Sequence, residues 1–322
     1  MAETMRVAVG QFSELSHERL SFARQLGATG VQLNTPVLPG EKHWELNDLL
    51  WLRRRCESYG LRLEALENTP ISFYDKAMLG LRGRDEQIEQ YQATIRNLGA
   101  AGIPILGYHW MPNGVWRTGW TTPGRGGARV SSFDMGLVQR DVLTHGRVFT
   151  ADEMWENYAY FMKAVVPVAE EAEVKLALHP DDPPVPSLGG VARLFHTFEG
   201  FKRAMEIAPS PNSGLDFCMG CWSEMGPGVI EAIRYFGERG KIVYVHFRDV
   251  QGTVPCFQEC FLGEGNVDVI AAMRALKEVG FTGFLLDDHV PHIVDDTEWG
   301  HRARAHAIGY IQALINTVQA LG

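Results

Sequence analysis

Short apolar runs alternate along the chain with longer stretches whose apolar residues recur at three- and four-residue spacing, the patterns of buried strands and of amphipathic helices. Strands are predicted at Arg6–Gly10, Gly30–Asn34, Leu61–Glu67, Pro104–His109, Val174–Leu178, Gly214–Cys218, Ile242–Phe247 and Gly283–Asp288. Helices are predicted at Leu15–Leu26, Trp44–Tyr59, Asp85–Ala101, Glu153–Glu173, Gly228–Glu238, Val267–Val279 and Arg302–Gln319. Such alternation implies a parallel sheet covered by helices. Eight βα units with no linker and no second compositional regime imply one α/β domain over residues 1–322, closed as a (β/α)8 TIM barrel. Two connections are long, Trp110–Ala151 after the fourth strand and Arg248–Gly265 after the seventh. Long loops are commonly functional. The first holds Arg117, Arg125 and Arg129, which fit either closure over an anionic ligand or an oligomer-contact arm.

The later strands end in polar residues, where a barrel of this kind keeps its chemistry. LALHPDDPP delivers His179, GLDFC delivers Cys218, IVYVHF delivers His246 and GFLLDD delivers Asp288. These residues are separated by 39, 28 and 42 positions, so each belongs to a successive βα unit. Two imidazoles, a thiolate and a carboxylate can hold a divalent metal, and the thiolate favours zinc, iron(II) or manganese(II) over magnesium. Other residues line up around the same mouth. Asp181, as a candidate substrate contact, and Asp182, as a candidate catalytic group, either orient ligands and substrate hydroxyls or cap the turn after the strand. Arg248 is placed to grip a substrate carboxylate bidentately. His289 follows Asp288, so a bend of the backbone is needed to bring it inward as an acid or base. Glu67 and His109 end the third and fourth strands and are candidate substrate contacts or rim residues.

Composition narrows the possible partners. The chain carries 30 basic against 39 acidic residues, a net charge of -9, which gives no general attraction to nucleic acid or anionic membrane. No apolar stretch is long enough to cross a bilayer, and MAETMRVAVGQF lacks the apolar core of a leader. Five cysteines, an odd number in a large chain, suit a reduced compartment, so a soluble cytoplasmic protein is expected. CMGC and CFQEC also admit a structural zinc site with two ligands from each pair. Apolar faces on the outer helices fit a homo-oligomer.

The stretches YHWMPNGVWRT, MWENYAYFMKAVVPVAEEAEVKLALHPDDPP, LDFCMG and VHFRDV, with the Asp288–His289 pair, resemble the mannonate dehydratase family of xylose-isomerase-like barrels. The resemblance runs from ENTPISFYDK through Asp288. It implies a manganese or iron(II) centre on His179, Cys218, His246 and Asp288, and removal of water from D-mannonate to give 2-keto-3-deoxy-D-gluconate. It also implies proton transfer by His289 and a carboxylate-binding position at Arg248. The chain departs from the family pattern in three places. No tyrosine stands near Glu298, Trp299, His301 and Arg302; Gln258 and Leu262 replace histidines common in the family; and the chain is shorter than typical members. A sugar isomerase or epimerase of the same superfamily and a non-catalytic sugar- or metal-binding barrel are the competing readings. The isomerase would conserve the formula of its substrate, and the binding protein would hold metal without turnover.

Overall fold

The computed structural model describes residues 4–139 and 141–321; Met1 to Glu3 of the opening stretch lie outside it. Eight parallel strands close into a barrel: β1 Arg6–Val9, β2 Gly30–Asn34, β3 Arg62–Glu67, β4 Ile105–Tyr108, β5 Lys175–Leu178, β6 Ser213–Cys218, β7 Ile242–His246 and β8 Phe284–Leu286. Each pairs with its sequence neighbours, and β8 returns to β1 through the register Arg6 to Phe284 and Val7 to Leu285. The predicted strands are all present, their ends agreeing to within one or two residues.

Helix boundaries follow from end chemistry. Ala151–Glu171 starts at a reciprocal capping box, in which the Thr150 hydroxyl accepts from the Glu153 amide while Glu153 accepts from the Thr150 amide. Asp268 caps Val269–Glu278 by accepting from the amides of Ile270 and Ala271. Three helices lie outside the predicted set, the short Asp75–Leu79 and Met219–Met225 and the longer Phe198–Ile207. Phe198–Ile207, which completes the fifth βα unit, is capped by Thr197 and buries Phe201, Ala204 and Met205.

The two long connections are not open loops. Gly119–Pro123 and Arg129–Asp134 from the first pair with Cys256–Glu259 and Val250–Thr253 from the second in a four-stranded antiparallel sheet. Its apolar face has a small core of its own, Phe133, Val185, Leu188, Val250 and Phe257. The expectation of an arginine lid is therefore corrected. Arg125 pairs with Glu264 and lies over Phe261, 4.0 Å from the ring centre, while Arg117 is buried under the sheet.

Inside the barrel, strand periodicity decides what meets the axis. Ala8, Ala65 and Ala177 are small, and Tyr244 stacks on Phe284 with ring centres 4.9 Å apart. Gly107 leaves room for that tyrosine, since a Cβ there would lie 2.4 Å from the Tyr244 hydroxyl oxygen. One step further up, the same inward rows carry His179, Cys218, His246 and Asp288. Small residues below thus make space for a polar layer above.

Candidate metal centre

The four strand-end residues converge. One ligand atom from each of His179, Cys218, His246 and Asp288 lies within 4.8 Å of the others, and all four residues are buried. Cys218 Sγ is 3.9 Å from Asp288 Oδ2, which is 3.7 Å from His246 Nδ1. Each imidazole has one nitrogen committed elsewhere. His179 Nδ1 is 2.7 Å from the carbonyl oxygen of Pro180, so it donates and leaves Nε2. His246 does the converse: Nε2 donates to Glu67 Oε2 at 3.0 Å, and the buried Nδ1 makes no hydrogen bond. Such hydrogen bonds select the tautomer that presents a lone pair to a metal. An orphaned, buried imidazole nitrogen beside a thiol and a carboxylate fits a divalent cation.

Electrostatics agree with that fit. Burial opposes ionisation of Cys218, but Cys221, the Arg248 guanidinium and the two imidazoles together hold its pKa well below the usual thiol range. Burial likewise disfavours charge on His179, yet Cys218 and Asp216 outweigh it and push the pKa up to about 10. The cluster is short of positive charge.

Glu67 is more than a rim residue. Its carboxylate takes His246, Gln32 and Gln11, which fixes it beneath the cluster. Glu67→Ala should leave the barrel folded and weaken metal affinity about 10–100-fold, the usual cost of losing an outer-sphere partner. A titration against a chelating indicator measures it; unchanged affinity would remove Glu67 from this role.

The remaining expectations divide. Arg248 was expected to grip substrate, but its five N–H groups are all engaged: Nε by Asp288, Nη1 by Glu224 and Glu259, Nη2 by Asp182 and Cys221. It holds Asp288 in place instead. Arg117 is also consumed, by Ser131, the Trp116 carbonyl, Asp182 and Glu259. Asp182 was expected as a catalytic group. Burial would raise its pKa, but Arg117 and Arg248 override this and hold it far below the carboxylate range, so it is a paired anion within the network. Asp181 accepts from the Phe195 amide at 2.6 Å and lies 3.7 Å from Arg193 Nη1, so it supports the loop after β5. His109 accepts from the Met111 amide through Nδ1. Burial, reinforced by His179 and Arg193, lowers its pKa to about 3, so it is neutral.

His289 turns inward because β8 ends at Leu286 and the chain bends beyond it. Nδ1 lies 2.9 Å from Glu259 Oε1, and the half-exposed ring lines a cavity of about 460 Å³ shared with Gln11, Trp299 and Arg304. Burial disfavours its charge, but Asp288 and Glu259 prevail and its pKa is raised. Sequence reasoning missed Glu259, Glu224, Asp216 and Arg304. Asp216 was legible, since it lies two residues before Cys218 and must share its face. Glu259 lies in a connection whose pairing no local pattern encodes. Cys256 and Cys260 stand in no group of three or more candidate metal ligands among the described residues, which leaves the four-cysteine zinc reading without support.

Fold and site together define a (β/α)8 barrel with a candidate divalent-metal centre at the C-terminal ends of its strands. The sequence profile of the family described as D-mannonate dehydratase (UxuA) matches residues 5–146 and 137–321. The chain belongs to this family. It is 31% identical over 314 residues to a mannonate dehydratase of Thermotoga petrophila, covering 86% of this chain and 84% of that protein. It is 29% identical over 329 residues to mannonate dehydratase 2 of Halalkalibacterium halodurans, with 93% of each chain covered. The crystal structure of mannonate dehydratase from Streptococcus suis superposes with a TM-score of 0.89 at 27% identity, over 99% of this chain and 95% of that one. A D-tagatose 3-epimerase-like protein shares the fold, with a TM-score of 0.65 at 17% identity over 98% of this chain and 99% of that one.

Proposed function

We propose that the protein is a metal-dependent hydro-lyase that removes water from D-mannonate, giving 2-keto-3-deoxy-D-gluconate. The observation that carries this reading is the quartet of His179, Cys218, His246 and Asp288, with the outward nitrogen of each imidazole fixed by Pro180 or Glu67. Manganese(II) or iron(II) suits the mixed sulfur, nitrogen and oxygen set, and zinc is the third candidate. A bound ion would polarise substrate oxygens and stabilise the enolate-like charge that forms as the proton next to the carboxylate is lost.

The residues around it divide the remaining work. Arg248 holds Asp288, and Glu67 holds His246. His289 faces the cavity with Nδ1 against Glu259, which leaves Nε2 as the nitrogen for moving a proton to or from substrate. Glu259 orients that ring. Family membership supports the lyase over a sugar isomerase, whose barrel is the shared element with the epimerase-like protein. The homo-oligomer reading is supported by exposed Trp51 and Ile270 on outer helices. The cytoplasmic reading is supported by five cysteines without a disulfide. Among the described residues, no helix is long and apolar enough to cross a membrane.

Product analysis is the test. Protein reconstituted with manganese(II) or iron(II) should convert D-mannonate to a 2-keto-3-deoxy acid and release one water per substrate by the stoichiometry of the elimination. A product with the substrate's own formula would establish the isomerase instead.

A further inference from the structure

A cationic side chain that pairs with the carboxylate would favour a sugar acid as ligand, and the residue expected to do so, Arg248, has no donor to spare. Four buried arginines surround the mouth, and counting their donors separates them. Arg117 and Arg248 each have all five N–H groups engaged by protein. Arg193 spends Nη1 and Nη2 on Asp182, Asn113 and Gly114, and its remaining Nε is sealed from the cavity. Arg304 differs. Its Nε donates to the Trp299 carbonyl at 2.8 Å, and Nη1 donates to Asp287 Oδ2 at 2.7 Å and to the Asp288 carbonyl at 3.3 Å. Among the described residues, Nη2 has no acceptor.

The same side chain lines the cavity beside His289, and Arg304 is only 6% exposed. Its guanidinium lies 4.8 Å from the Trp299 ring centre, and Trp299 is itself tied by Nε1 to the Gln11 carbonyl at 3.0 Å. The group is thus held rigidly before any ligand arrives, which reduces the entropy lost on binding. Its contact with the Asp288 backbone keeps it within one residue of the metal-ligand quartet. Glu259, the buried carboxylate on the cavity wall, is already answered by Arg117, Arg248 and His289.

We propose that Arg304 is the specificity-determining residue that binds the substrate carboxylate, through the two N–H groups of Nη2, and so selects an aldonate over a neutral polyol. This rests on the sugar-acid reading above, and the experiment separates the two. In a metal-loaded His289→Asn background, which slows turnover enough for binding to be read, calorimetry compares D-mannonate with D-mannitol. The parent should prefer D-mannonate by about 10- to 100-fold, the worth of a charge-assisted hydrogen-bonded pair. Arg304→Lys, which keeps a cation for Asp287 but loses the planar fork, should abolish most of that preference with metal content and melting temperature unchanged. Arg304→Gln replaces it if the lysine variant does not fold. Equal binding of acid and polyol by the parent, or full preference retained in the variant, overturns the assignment. A preference that depends on Arg304, found alongside a metal-loaded protein with His289 intact that forms no 2-keto-3-deoxy product, upholds the assignment and overturns the lyase reading alone.

Discussion

Replacing Cys218 with alanine is expected to reduce bound metal from about one ion per chain to near zero and to lower turnover of D-mannonate at least about 1,000-fold. Cys218 supplies the only sulfur in the quartet, with Asp288 Oδ2 at 3.9 Å and both imidazoles interacting with it. Its loss leaves three ligands and removes the anion that most favours a transition metal. Elemental analysis after purification without added metal, followed by reconstitution with manganese(II), iron(II) or zinc, reads the effect directly. His246→Ala should behave the same way. Metal retained at the wild-type level in both variants would place the ion elsewhere, with the Asp182, Cys221 and Glu224 group as the next place to look.

His289→Asn should give the opposite pattern. The side chain is no member of the quartet, so metal content should stay at the wild-type value, while kcat falls about 100- to 10,000-fold with a small change in KM. Asparagine keeps a hydrogen-bonding group near Glu259, so the buried carboxylate is not abandoned. The contrast between the two variants is the useful result, since one loses the ion and the other loses chemistry with the ion in place. A His289→Asn protein with wild-type kcat would exclude this histidine from proton transfer.

The barrel and the quartet were legible because both are written in short-range pattern. An apolar run ending in His179, Cys218, His246 or Asp288 states a strand and its C-terminal residue at once, and eight such units leave little freedom in topology. The helix at Phe198–Ile207 was also written there, in Thr197 followed by Phe198, Phe201 and Met205 at helical spacing, and was simply overlooked. Other features depend on pairing across more than a hundred residues. Arg117 meets Glu259 only because two distant connections hydrogen-bond to one another, with Cys256 opposite Asp134 and Gln258 opposite Ser132. Reading each connection as a separate loop therefore sent Arg117 and Arg248 toward substrate, when their charges are spent on protein carboxylates. Arg304 was overlooked for the complementary reason: in sequence it is one basic residue in the first turn of an amphipathic helix, and its spare donors exist only after Asp287 and Trp299 have claimed the others.

The four-stranded sheet over the mouth also sets a rule for recombination among relatives. Its outer pair from the first connection and its partner pair from the second form one unit, joined along Arg129–Asp134 and Cys256–Glu259. Grafting one connection from another family member would leave an unpaired strand edge beside buried Arg117 and Glu259. A chimera that retunes substrate choice must exchange both connections together, so these two segments, far apart in the gene, form a single heritable module.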